Sequence, residues 1–284
     1  TTMMLQFMKE NFGTSDEALY VSLDNIYFAR NKIYYFVDEY VKNGGKFLFL
    51  DEIHKYPGWS REIKNIYDDF PELKVVFTGS SILDIDRSEA DLSRRAAVHE
   101  LPSLSLREYV TLKTGIEFEP LSLSDILERH QDIAASINKK IKPIKEFNQY
   151  HKNGAYPFFL EVGNDYQDHL KRIINLILET DLPAFISIDY SAVQKLKILL
   201  LVISESVPFQ PNISKLSQNI GATRETVIKY LSILEKARLI HVLRSDRKGI
   251  NKMAKPDKIF MDNGNLLYAL QPQSVNQEIG RAHV

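Results

Sequence analysis

The chain has 284 residues, 44% of them hydrophobic and 26% charged, with a formal net charge of −1. That balance belongs to a soluble globular protein and excludes a disordered one, and the length calls for two or three domains rather than one core. With no cysteine there is no disulfide framework, no thiolate nucleophile and no Cys-ligated zinc site, and the seven histidines lack a metal-ligand spacing. The longest apolar stretch, from Leu196 to Ile203, is too short to cross a bilayer. Thr1-Thr2-Met3-Met4-Leu5 has no basic region or small-residue cleavage site of a signal peptide. A cytoplasmic protein with no membrane partner is expected.

In chain order, Met4, Met8 and Phe12 lie four apart on one helical face, with Gly13 as the stop. Ala18 to Leu23 is β-prone, and Ile26 to Val41 is aromatic-rich at helical spacing. Lys46 to Leu50 is a continuous apolar run, as expected of a strand buried on both faces. A helix follows over Trp59 to Asp69, a third strand over Lys74 to Phe77 and a fourth over Ala96 to Leu101. Strands alternating with helices define an α/β parallel sheet. Beyond Ser105 the pattern is helical, over Leu106 to Thr114, Ser122 to His130, Ile141 to Tyr150 and Asp168 to Glu179. From Ser191 the order changes: a helix to Ser206, a short helix from Ser214 to Ile220, a Gly221-Ala222 turn, a long helix from Thr223 to Ala237, then β-prone pieces at Leu239 to Arg244 and Lys258 to Met261. That order predicts an α+β winged helix.

The strongest motif is Phe47-Leu48-Phe49-Leu50-Asp51-Glu52. Two adjacent carboxylates emerge from a buried strand at the sheet edge where open α/β folds bind ligands. Phosphoryl transfer needs one acid to hold Mg²⁺ against the β- and γ-phosphates and another to orient the attacking water. Asp51 suits the first role and Glu52 the second; the plain alternative is a strand that ends in solvent. Thr78 and Ser80, after the next strand, fall beside Asp51 and suit a sensor of the γ-phosphate, or else ordinary turn chemistry. The Arg94-Arg95 pair suits stabilisation of the transferred phosphoryl group across a homo-oligomer interface, or a solvated turn.

These residues resemble a known family. Leu50-Asp51-Glu52-Ile53-His54-Lys55, Trp59, Phe77-Thr78-Gly79-Ser80-Ser81, Leu101-Pro102-Ser103-Leu104-Ser105 with Arg107-Glu108-Tyr109, and Gly154-Ala155-Tyr156-Pro157 are similar to segments of prokaryotic predicted P-loop ATPases of the AAA+ superfamily. The resemblance implies an ATP- and Mg²⁺-dependent hydrolase whose Walker A loop ends at Thr1-Thr2. Thr1 would be the hydroxyl ligand of the metal and Thr2 a nucleotide contact, with the glycines, lysine and central strand of the loop before them. It implies Arg95 as the finger, with Arg94 where a glycine is usual, and a restriction-endonuclease-like region after Gly280-Arg281. The expected division is an ATPase core over 1–104, a helical lid over 105–190, a winged helix over 191–270 and the start of a further region over 271–284.

Charge is concentrated late in the chain. Between Ile213 and Lys258, eleven basic residues face four acids, a local charge of +7 in a chain of −1. In a winged helix, Arg224, Thr226 and Lys229 would face a DNA groove, and Arg247 and Lys248 in the wing would touch phosphate. The alternative is a rigid arm that contacts a protein partner. For the whole chain, the reading opposed to an ATP-driven machine is a DNA- or protein-binding regulator that uses ATP as a slow switch.

Overall fold

The computed structural model describes residues 1–79, 92, 94–186, 188–205, 211–244 and 256–271. The chain divides into two compact units, Thr1–Glu100 and Leu101–Val284.

The first unit is a three-layer α/β arrangement. Strands β1 (Ala18–Ser22), β2 (Phe47–Asp51) and β3 (Lys74–Phe77) form a parallel sheet in the order β1-β2-β3. Their register sets Ser22 opposite Asp51 and Leu50 opposite Phe77. Side chains alternate across a strand, so β2 feeds two layers. Phe47 and Phe49 meet helix α1 (Thr2–Asn11) and its flank, the Phe12 ring lying 4.6 Å from Phe47 and the Phe7 ring 6.1 Å from Phe49. Leu48 and Leu50, fully buried, join Ile33 and Val37 of α2 (Ile33–Lys42) and Trp59, Ile63 and Ile66 of α3 (Trp59–Asp69) in the main core. Each such side chain contributes about 1.5–3 kcal/mol of apolar burial, which explains why β2 carries apolar residues on both faces.

Two expectations change here. The single helix expected over Ile26 to Val41 is a 3-10 turn, Ile26–Ala29, and then α2. The Asn25 side chain accepts from Tyr27 N at 2.9 Å and starts the turn, and Lys32 is extended, so the helix restarts at Ile33. The fourth strand expected over Ala96 to Leu101 does not form. The backbone N–H groups of Arg95 and Ala96 turn back to Leu92 O at 2.7 and 2.9 Å, and Val98 and Leu101 are exposed. Among the described residues no ladder partner is present for this segment, and β-prone residues alone do not make a strand.

The second unit is mostly helical. Helix α4 (Leu106–Thr114) opens with a capping box in which Ser105 and Glu108 satisfy each other's backbone N–H groups. Its Tyr109 is buried against the rings of Tyr150 and Phe159. Helix α5 (Leu123–Lys140) runs beyond the expected end at His130, past non-helical geometry at Arg129. Helix α6 (Pro143–Asn153) follows, and α7 (Tyr166–Leu176) continues through a π-helical turn, Ile177–Asp181, to a last turn Leu182–Phe185. Helix α8 (Tyr190–Glu205), α9 (Ile213–Ile220) and α10 (Arg224–Lys236) are succeeded by the antiparallel pair β4 (Ile240–Leu243) and β5 (Lys258–Met261) and by α11 (Gly264–Leu270). Gly221 at φ +59° ends α9, with Ala222 N bonded back to Ser217 O at 2.9 Å, and Thr223 caps α10.

One buried side chain ties late and early segments of this unit together. Asn265 is 1% exposed. Its Oδ1 accepts from Ala155 N at 2.9 Å and from the Tyr166 hydroxyl at 2.6 Å, and its Nδ2 donates to the carbonyls of Tyr150 and His151 at 2.9 and 3.0 Å. All four amide bonding positions are filled, the condition under which a buried amide is tolerated. Beside it, a Cβ on Gly264 would fall 2.2 Å from the His151 ring, so only glycine permits this approach. The Gly154-Ala155-Tyr156-Pro157 segment is therefore a docking point for the start of α11.

Candidate active site

Asp51 is the last residue of β2 and lies on the α1 face of the sheet, 3% exposed. A buried carboxylate requires partners, and three hydroxyls from three elements supply them. The Thr1 and Thr78 hydroxyls donate to Oδ2 and Oδ1, and the Tyr20 hydroxyl donates to Oδ2 at 2.6 Å. Burial raises the carboxyl pKa, but the hydrogen bonds from Thr1, Thr78 and Tyr20 outweigh it and hold the pKa down at about 2. Asp51 is thus an anion waiting under a ring of oxygen atoms.

Each donor is placed by simple local physics. Thr1 occupies the N-cap position of α1, yet its side chain makes no cap bond, because the hydroxyl is spent on Asp51. The Thr1 side chain therefore caps none of the backbone N–H groups of the first turn, and such groups at a helix N-terminus suit an anion. Thr2 is the exposed first residue of that turn. Thr78 follows β3 and is clamped by its backbone, N to Leu50 O at 2.9 Å and O from Ile53 N at 2.9 Å. Tyr20 projects from β1 on the same face as Asp51 by strand alternation.

Glu52 leaves the sheet in a left-handed conformation, φ +54° and ψ +40°. This is uncommon for a residue with a Cβ and typical of constrained sites. Its Oε2 lies 3.3 Å from Nε2 of His54, whose side chain is fully buried, whereas the Glu52 side chain is 34% exposed. The first residue after the strand therefore turns its carboxylate to the rim while one oxygen rests on an interior imidazole.

Thr1, Asp51 and Thr78 are together, with Glu52 next in the chain. Arg95 is engaged elsewhere, its guanidinium bidentate on Asp68 of α3 at 2.9 and 3.1 Å. Ser80, Arg247 and Lys248 lie outside the described residues. On α10, Arg224 and Lys229 are exposed, while the Thr226 hydroxyl is 2.9 Å from that of Thr223. Val227, Tyr230, Leu231 and Leu234 are buried. Tyr20 and His54 are additions to the expected site. The parity of Ala18-Leu19-Tyr20 against Phe47 to Asp51 carried the first signal; nothing in the spacing distinguished His54 from a core histidine.

The donor set fits Mg²⁺, which takes one or two carboxylates with hydroxyl, water and phosphate oxygens and needs no all-protein cage. Among the described residues, no group of three or more His, Asp or Glu suits a metal by itself. No described helix is long and apolar enough to cross a membrane.

Two stretches of the chain are similar to known families. Residues 1–110 match the family AAA_14, described as an AAA domain, and the match suggests an AAA-like P-loop ATPase. Residues 144–276 match a family described as a domain of unknown function, DUF8612. An uncharacterized protein of Methanocaldococcus jannaschii is 25% identical over 217 residues, covering 75% of this chain and 45% of that protein, so the chain spans less than half of its relative's length. No solved structure matches.

Proposed function

We propose that the first unit is an AAA+ engine that binds ATP and hydrolyses it with Mg²⁺. The observation that carries this reading is the buried Asp51 carboxylate, held ionised by hydroxyls from three elements at the carboxyl edge of a parallel sheet. Thr1 and Asp51 would hold the metal, and the first turn at Thr1 and Thr2 would receive phosphate. Bound there, Mg²⁺ supplies charge neutralisation of the β- and γ-phosphates. Glu52 orients the attacking water and takes its proton, and Thr78, with Ser80, senses the γ-phosphate. Arg95 acts across a subunit boundary in a homo-oligomer by exchanging Asp68 for the phosphoryl oxygens, since a carboxylate and a phosphoryl group each offer a pair of oxygens to the guanidinium fork.

Hydrolysis is coupled to the second unit, whose helix-turn-helix and two-stranded ribbon we read as a winged helix that binds DNA or a protein partner. The exposed Arg224 and Lys229 of α10 favour DNA.

The test compares the full-length protein with Glu52→Gln. An engine loses steady-state ATP turnover by about 10²-fold or more while keeping ATP binding. A regulator that uses ATP as a slow switch has little turnover to lose, and that result would replace the present reading.

A further inference from the structure

We infer that His54 is a positioning residue for Glu52, fixing the carboxylate that activates water. The inference rests on the reading of Glu52 as the base. Three features carry it. Nε2 of His54 lies 3.3 Å from Glu52 Oε2, with the imidazole fully buried and the carboxylate one-third exposed. The backbone of Glu52 is left-handed, a conformation unfavourable for a residue with a Cβ that persists only where the surroundings impose it. Finally, Ile53 N is bonded to Thr78 O at 2.9 Å, and Tyr56 N closes the 3-10 turn on Ile53 O at 3.1 Å, so the segment that carries His54 is pinned to β3.

Together these make a rigid bracket. The sheet fixes the turn, the turn fixes the imidazole inside the core, and the imidazole stands beside one oxygen of a carboxylate whose backbone is left-handed. The second oxygen is left to take a proton at the rim. A flexible glutamate at a strand end samples several rotamers, and misplacement of a catalytic group by about 1 Å costs about 10²-fold in rate. His54 touches neither nucleotide nor water in this scheme; it acts through Glu52.

The experiment uses the full-length protein with His54→Met, which keeps comparable bulk without an N–H donor, and His54→Gln, which keeps a donor at similar reach. His54→Met should lower kcat about tenfold to a hundredfold, with KM for ATP unchanged within about twofold. His54→Gln should recover most of kcat, which a mere packing role would not predict. In a Glu52→Gln background His54→Met should cost nothing further, because the two residues act as one unit. Thermal unfolding and fluorescent-ATP binding are recorded for each variant; if His54→Met does not fold, His54→Asn, polar but too short to reach Glu52, takes its place with the same expectation. Wild-type kcat in the donor-less variant, or an equal loss in both backgrounds, would overturn the inference. Failure of the ATPase reading looks different, since the unmutated protein would then show little or no ATP turnover, whether or not it binds ATP.

Discussion

The hydroxyl of Tyr20 on β1 lies 2.6 Å from Oδ2 of Asp51 on β2, a contact across 31 residues of sequence. It holds the acid from the side of the sheet opposite to β3 and draws a strand with no motif of its own into the site. A hydrogen bond to a charged acceptor is worth about 1.5–3 kcal/mol, and Asp51 keeps two other donors when this one is lost. Tyr20→Phe should therefore lower stability by about 1 kcal/mol and raise the Mg²⁺ concentration needed for half-maximal turnover. Denaturant melts and a Mg²⁺ titration of ATPase rate check both; an unchanged Mg²⁺ requirement would leave Tyr20 a purely structural tyrosine.

The depressed carboxyl of Asp51 has a signed consequence for stability. A group whose folded pKa of about 2 lies below its unfolded value of about 3.9 stabilises the fold above the unfolded value and loses that contribution as pH falls toward 2. The contribution is about 2–3 kcal/mol, at about 1.4 kcal/mol per pKa unit. Urea midpoints measured without Mg²⁺ between about pH 5 and 2.5 should drop more steeply for the wild type than for Asp51→Asn. Parallel curves would mean that the carboxylate is not held as described.

Asn265 closes the second unit. Asn265→Ala would leave Ala155 N–H, two carbonyls and the Tyr166 hydroxyl without this partner at a buried position. The expected cost is about 3 kcal/mol, read from chemical denaturation, with faster hydrogen exchange at Ala155. A loss below about 0.5 kcal/mol, the range of ordinary surface changes, would show that the docking point is not a stability determinant.

For the helix-turn-helix, the exposed cations make a simple statement. Arg224→Ala and Lys229→Ala should each weaken binding to duplex DNA at low salt and reduce the slope of log affinity against log salt by about one. Arg244 should matter less, because Glu235 already holds it bidentate at 2.8 and 2.6 Å. An anisotropy titration with no affinity at low salt removes DNA and leaves the protein partner.

Much of this was legible in the sequence because it rests on short-range rules. The apolar run Phe47 to Leu50 could only be a two-faced central strand, and the hydroxyl after the next apolar run had to emerge beside Asp51 in a parallel register. The helices over Leu106 to Thr114 and Trp59 to Asp69 follow from spacing, and the first carries its capping box in plain view at Ser105 and Glu108. What was not legible depends on partners distant in sequence. Ala96 to Leu101 has the composition of a strand but no ladder to join among the described residues. Arg95 reads as a free finger until Asp68, 27 residues earlier, is brought to it by α3. The imidazole of His54 and the amide of Asn265 looked like any core or loop residue, since burial of a polar group is decided by elements that pack around it from elsewhere.

The central claim is that a metal and a triphosphate dock at Asp51 beside the start of α1. The most direct measurement is a crystal structure of the full-length protein grown with Mn²⁺ in place of Mg²⁺ and a non-hydrolysable ATP analogue, using the anomalous signal to locate the ion. The account predicts a peak within coordination distance of the Thr1 hydroxyl and the Asp51 carboxylate, about 2.0–2.3 Å for a small divalent ion, with the phosphates over the first turn of α1. A nucleotide bound with its metal away from Asp51 would contradict it.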